Sequence, residues 1–381
     1  MNGSITCLQM KSAPSMISKN TYALWREGRQ RIARFYHTNA DLRTLPNRLK
    51  YRQLRRDFYG PLWQSAAENI GAKCEAWVGE YKKIYRDDAF VPVYLTQVNL
   101  NSALMDKILI DKLMTQELLQ RRHYPIPKNI FFKVNDLRPA QRFLDQHKTV
   151  VVKPAGGTAG GCGVTTDIRD MSTLERAAKF AARYAPQLIL EEHVTGDSYR
   201  LLYVGGKFID AVRRTSPLLT GDGHHTIRQL ISMENGRRLT QKPISSLIAL
   251  KIDEDCRLTL KKNGYSVQSV PDKGAEIMIK QSVNENNAAQ NFNAYEKVHP
   301  ATIAMGESIM RDFNLELGGI DIQCSDISIP LEQSGGRILE INSPPGIHHH
   351  YLIDRPNSGQ PVAEHILEYM FKSRTGTILQ S

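Results

Sequence analysis

Cysteine is scarce and scattered in this chain. The five cysteines, Cys7, Cys74, Cys162, Cys256 and Cys324, are odd in number and never fall at CxxC or Cys/His ligand spacing. That excludes a zinc site of the usual kind and points to a reducing, cytoplasmic setting. Long apolar runs are missing too. None approaches the roughly 18 residues that a membrane-spanning helix needs, so no membrane partner is expected. Internal repeats and low-complexity tracts are absent, and no acidic residue precedes Glu27. The net charge of +11 gathers early, at Arg26, Arg29, Arg31, Arg34, Arg43, Arg48, Lys50, Arg52, Arg55 and Arg56. These residues lack interleaved aromatics on a recognisable module, which argues against a nucleic-acid partner. They read as a frayed start and a solvated basic helix rather than a transit peptide. The triplet His348-His349-His350 lies inside the chain, where neighbours alternate direction, and reads as no metal site.

What is present is ordinary in bulk and specific in two places. With 381 residues, 41% apolar and 23% charged, the chain can build two or three cored domains. Val150-Val151-Val152-Lys153-Pro154 is a β-branched strand that delivers a lysine. It runs into a loop with five glycines in the eight positions 156–163. Glycine enters φ > 0 conformations without a Cβ clash, so such a loop can wrap backbone N–H groups around an anion. Gly319-Ile320-Asp321 and Ile338-Leu339-Glu340-Ile341-Asn342 place an acid at one strand end and an acid and an amide, two apart, on another. Residues i and i+2 of a strand point the same way, so Glu340 and Asn342 can share a cation. Hard oxygen donors of this kind suit Mg²⁺ bridging phosphates. Together the two stretches describe a site for a nucleoside triphosphate.

Periodicity fills in the rest. A helix is expected from Phe58 to Ile70, ended by Gly71, then short strands at Cys74–Val78, Lys83–Tyr85 and Val91–Val98. One long amphipathic helix is expected over Leu104–Gln120. Next come a strand, a helix over Arg138–Gln146, a strand over Thr149–Lys153 and the glycine loop. A helix over Ser172–Tyr184 opens on the capping-box pattern Ser172-Thr173-Leu174-Glu175 and leads to a strand at Gln187–Glu191. A hairpin at 198–212 turns on Gly205-Gly206. The irregular stretch 232–297 holds a helix and a strand at Glu276–Lys280. Helices at His299–Phe313 and Pro361–Phe371 flank the metal-ligand strands.

The set Asp111-Lys112, Lys153-Pro154 with its glycine loop, Glu191, Asp321, Glu340-Ile341-Asn342 and Pro345-Gly346 resembles the ATP-grasp superfamily of carboxylate–amine ligases. Within it, the likeness runs to the ATP-grasp portion of cyanophycin synthetase-like enzymes. Leu188-Ile189-Leu190-Glu191, Tyr199-Arg200-Leu201-Leu202, Gly221-Asp222-Gly223 and Val298-His299-Pro300 carry it further. It covers roughly residues 105–372, and 60–104 more faintly. The resemblance implies an α/β (α+β) ATP-grasp fold. A basic N-terminal α/β lobe (1–105) would precede a central lobe (106–190) and a C-terminal lobe (191–381), the last two clasping ATP. The C-terminal Mur-ligase-like domain of those enzymes has no counterpart before Ser381, which implies one kind of amide bond per ATP.

Roles are likewise what the resemblance implies. Lys112 and Lys153 would neutralise the ATP phosphates beneath the loop of Gly156, Gly157, Thr158, Ala159, Gly160, Gly161 and Gly163. Glu191, Glu192 and Val194 would line the adenine pocket. Asp197 or Ser198 would reach the ribose, although the family pattern has an acid near Ser198. Asp321, Glu340 and Asn342 would hold two Mg²⁺ ions, for which Mn²⁺ could substitute. Arg200, Arg214 and Lys280 would meet the γ-phosphate or the acyl phosphate, while Cys162 is a bystander. The run Lys280–Gln290 lacks the glycines of the family. His348 stands where a basic residue is expected, with a charge that should change near neutral pH. The expected reaction joins a small carboxylate to the amine of an amino acid or peptide through an acyl phosphate, in a dimer. The rival readings are a ligase acting on a longer peptide, an ATP-grasp kinase and a nucleotide-binding scaffold.

Overall fold

The computed structural model describes residues 45–156 and 161–380. The arginines Arg26, Arg29, Arg31, Arg34 and Arg43 and the loop residues Gly157, Thr158, Ala159 and Gly160 lie outside that range. The first element is a long helix, α1 (Leu45–Asn69). It stops where Gly71 takes φ 70° and Ala72 N–H returns to Ala67 C=O. Trp63, Ala66 and Ala67 are its buried face. They pack on an antiparallel sheet of β1 (Lys73–Ala76), β2 (Tyr81–Arg86), β3 (Ala89–Tyr94) and β4 (Gln97–Val98). The expected strand Val91–Val98 is broken in two. Leu95 adopts φ 52° and turns the chain back, its carbonyl fixed by Trp63 Nε1 at 2.7 Å.

The expected helix over Leu104–Gln120 is also two helices, α2 (Ala103–Ile110) and α3 (Lys112–Arg121). Asp111 separates them. It is extended, φ −85° and ψ 107°, and its carboxylate accepts from Leu113 N–H and Met114 N–H. An aspartate that can cap a new helix competes with continuation of the old one. The break turns Lys112 N–H onto Ala155 C=O at 2.9 Å, beside the glycine loop.

The second sheet is built from β5 (Asn129–Phe132), β6 (Val150–Pro154), β7 (Thr165–Ile168) and β8 (Leu188–Glu192), in the order β5-β8-β6-β7. Helices α4 (Arg138–His147) and α5 (Met171–Ala181) cover it. The N-cap of α5 is Asp170, which accepts from Thr173 N–H at 2.8 Å, so the expected start at Ser172 is early-shifted by the better acceptor.

The third sheet contains the hairpin β9 (Asp197–Val204) and β10 (Lys207–Arg214) on its Gly205-Gly206 turn. The chain then forms β11 (Leu218–Thr220), α6 (Ile227–Thr240), α7 (Glu254–Lys262), β12 (Glu276–Met278), β13 (Asn291–Asn293) and α8 (Pro300–Asp312). β14 (Leu317–Cys324) and β15 (Arg337–Asn342) complete the sheet order β13-β10-β9-β14-β15. β11 and β12 pair only with each other. Finally α9 (Val362–Ser373) and β16 (Ile378–Leu379) return to the first sheet. Val362, Ile366 and Met370 share a core with Trp63 and Ile84, and Ile378 pairs with Phe90.

Candidate active site

A cavity of about 420 Å³ lies between the second and third sheets, and its wall includes Lys112, Lys153, Glu191, Arg214, Asp321 and Glu340. Each is placed by a strand or a helix end. Lys153, near the end of β6, is 8% exposed, and its Nζ lies 2.6 Å from Glu191 Oε1 on neighbouring β8. Gln116 of α3 donates to the same Glu191 oxygen. Lys112, the first residue of α3, reaches across to Glu340 Oε1 at 2.6 Å.

The acidic wall comes from strand register. β14 and β15 set Asp321 directly opposite Glu340 and Gly319 opposite Asn342. Arg200 on β9 is the other cross-strand neighbour of Asp321 and grips it with two hydrogen bonds, one from Nη2 to Oδ2 at 2.7 Å. Burial pushes the Asp321 carboxyl up, but the charge and hydrogen bonds of Arg200 outweigh it and hold the group below the usual carboxylate range. The Asn342 side-chain Nδ2 is buried without a partner. Arg214 is also incompletely satisfied. It is 2% exposed, its Nη2 reaches only Val283 C=O at 3.3 Å, and its Nε has no partner. Burial, and then the nearby charge of Arg200, bring its pKa down to about 10. A buried guanidinium with unused donors is a standing anion site.

Two carboxylates and an amide on adjoining strands are a hard oxygen set that fits Mg²⁺. Among the described residues no three His, Cys, Asp or Glu side chains converge as a metal site, here or elsewhere, so this set rests on two acids and an amide. Lys112 and Arg200 already compensate the two acids, so a bound cation would share them with these side chains.

Glu192, Val194 and Ser198 line the cavity, as do His193 and Asp197, the latter tied to Arg213 at 2.9 Å. Gly156 sits over the backbone of Asp111. Gly161 faces the cavity at φ +70°, and a Cβ there would fall 1.9 Å from the Asn284 amide nitrogen. Gly163, at φ +81°, packs against Pro154 and Tyr184 instead. Arg200 stands behind Asp321 rather than on the wall. Lys280 is 2% exposed and ion-paired with Asp253 at 2.6 Å and Glu285 at 2.8 Å, and it does not line the cavity although Gln281 beside it does. Burial works against its charge, yet Glu285 and Asp253 leave its pKa raised.

His348 departs from expectation. Its Nδ1 meets Tyr59 Oη at 2.9 Å. Burial, and then the charges of Arg200 and Arg214, push its pKa down to about 3, so it is neutral across the physiological range. Gln116, Asn284 and His193 were not singled out. Gln116 hides within an amphipathic helix, Asn284 within a polar run, and neither carries a motif.

No family model matches the chain. The fold is of the ATP-grasp type: a bifunctional glutathione synthetase from Pasteurella multocida has a similar structure, with TM-score 0.51 at 17% identity over 82% of this chain and 43% of that one. In sequence the chain is similar to the ATP-grasp portion of cyanophycin synthetase. The Trichormus variabilis enzyme is 27% identical over 285 residues, 72% of this chain and 30% of its own length. The glutathione biosynthesis bifunctional protein of Clostridium perfringens is 24% identical over 280 residues, 72% of this chain and 36% of its own. The matched region is therefore about a third of each of these longer proteins.

Proposed function

We propose that this protein is an ATP- and Mg²⁺-dependent ligase that activates a carboxylate as an acyl phosphate and joins it to the amine of an amino acid or peptide. The observation that carries the reading is Arg214, a buried guanidinium with unused donors, on one cavity wall with Lys153, Asp321 and Glu340. Phosphoryl transfer demands positioning and charge compensation more than covalent chemistry by the protein. Lys112 and Lys153 neutralise the ATP phosphates, and the glycine loop covers them. Glu191, Glu192 and Val194 border the base, with Asp197 and Ser198 toward the ribose. Asp321, Glu340 and Asn342 hold Mg²⁺, which when bound screens the polyphosphate from the incoming carboxylate. Arg214 takes the charge that develops on the transferred phosphoryl group, with Arg200 fixing Asp321 behind it. A closed loop keeps water from the acyl phosphate until the amine attacks. No side-chain nucleophile is required. Lys280 acts as a positioning residue, anchoring Glu285 and Asp253 beside the loop.

The test is nucleotide cleavage by wild type and Lys153→Ala with pools of amino acids and short peptides. Mg²⁺-dependent ADP and phosphate release, stimulated by one pool in wild type only, with a product at the mass of the two substrates minus water, supports the ligase. AMP and pyrophosphate would contradict it. A stable phosphorylated product would favour a kinase.

A further inference from the structure

A second cavity, of about 570 Å³, opens beside the glycine loop, between α5 and the stretch 251–257 that leads into α7. Gly161 lines the first cavity and Cys162 lines this one, so these two adjacent residues stand between them. Five cationic side chains, Arg176, Lys179, Arg183, Lys251 and Arg257, line the cleft against two carboxylates. Neither carboxylate is spare. Asp253 is held by Lys280 at 2.6 Å and caps Cys256 N–H at 3.1 Å, and Glu254 accepts from Arg176 Nε at 3.0 Å. Among the described residues Arg183 and Arg257 have no carboxylate within ion-pair distance, whereas Lys179 has Glu175 at 2.6 Å and Lys251 has Glu285 at 3.6 Å. The Arg183 guanidinium lies 5.8 Å over the Phe180 ring.

Like charges gathered on a concave wall repel each other and focus a field that an anion relieves. Guanidinium forks on facing elements match phosphate oxygens better than single carboxylates spaced along an extended peptide. We infer that this cleft binds a small molecule bearing two or more adjacent phosphates, separately from the nucleotide cavity, and that its occupancy is felt by the glycine loop through Lys251, whose Nζ lies 3.5 Å from Cys162 Sγ. The anion draws the Lys251 ammonium toward itself and alters the surroundings of the Cys162 thiol. The inference goes beyond the ligase reading and does not depend on it.

Equilibrium dialysis of radiolabelled pyrophosphate against the full chain, with and without the β,γ-imido analogue of ATP and Mg²⁺, tests it. Two equivalents bind to wild type, and the analogue displaces one. The double variant Arg183→Ser/Arg257→Ser, at two exposed positions, keeps the displaceable equivalent and binds the other at least tenfold more weakly. Displacement of all bound pyrophosphate by the analogue in wild type, or an undisplaced equivalent unchanged in the double variant, overturns the site. So does displacement of that equivalent by an acidic peptide such as hexa-aspartate at a lower concentration than unlabelled pyrophosphate requires. Iodoacetamide labelling of Cys162, read by peptide mass with the analogue present throughout, reports the coupling. Pyrophosphate changes the rate at least threefold in wild type and not in the double variant. An unchanged rate in wild type overturns the coupling.

Discussion

Replacing Arg214 with methionine should stabilise the free protein while disabling it. The guanidinium is 2% exposed, its Nε is unpartnered, and burial with the nearby Arg200 brings its pKa from the ordinary 12.5 to about 10. A shift of that size corresponds to about 3 kcal/mol against the charged form in the folded protein. Below about pH 10 the folded and unfolded states both carry the charge, so the whole penalty is present at neutral pH. It fades only as pH rises from about 10 toward 12.5. Methionine keeps much of the volume and removes the charge, so thermal unfolding without nucleotide should rise by roughly 5 °C. The same change removes the donor that meets the transferring phosphoryl group, a loss of about 10²–10³ in turnover. Melting curves with and without ATP and Mg²⁺, beside ADP release, read both effects. A variant that melts several degrees lower without nucleotide, yet turns over within threefold of wild type, would refute the assignment of Arg214 as a strained anion receptor.

Lys153→Ala leaves Glu191 buried without its cation, and denaturant melts should show a loss of about 3–5 kcal/mol. Adding Glu191→Gln should restore much of that stability without restoring nucleotide binding, measured by calorimetry. Gly161→Ala forces a Cβ onto Asn284 at φ +70° and should raise KM for ATP several-fold, with partial rescue by Asn284→Gly. His348 has a folded-state pKa of about 3, below its unfolded value, so the neutral ring contributes stability that is complete above about pH 6.5 and lost as pH falls toward 3. His348→Gln should therefore flatten the acid limb of stability against pH between about 6.5 and 3 and leave the pH–activity profile between about 6 and 8 unchanged in shape.

The candidate site was read from strand and loop chemistry. Lys153 at the end of a β-branched run, the glycines after it, and the i, i+2 pair Glu340 and Asn342 are local patterns, and Lys153, Glu340 and Asn342 lie on strands β6 and β15. What escaped were features decided by contacts distant in sequence. Asp111 breaks a helix whose apolar periodicity runs straight through it. Lys280 looked like a free phosphate ligand because Asp253 and Glu285, its partners, carry no motif. The neutrality of His348 comes from its burial and then from the charges of Arg200 and Arg214, all set by contacts far away along the chain. Tyr94-Leu95-Thr96-Gln97 contains neither glycine nor proline, so its tight turn was indistinguishable from a continuing strand.

The central claim is an acyl phosphate, and an isotope tests it most directly. The pool that stimulates ADP release is supplied with ¹⁸O in its carboxylate groups, and the inorganic phosphate released is analysed by mass spectrometry. One ¹⁸O transferred to each phosphate, in step with amide formation, is the predicted result. Phosphate without ¹⁸O, or label appearing in AMP, would contradict the account.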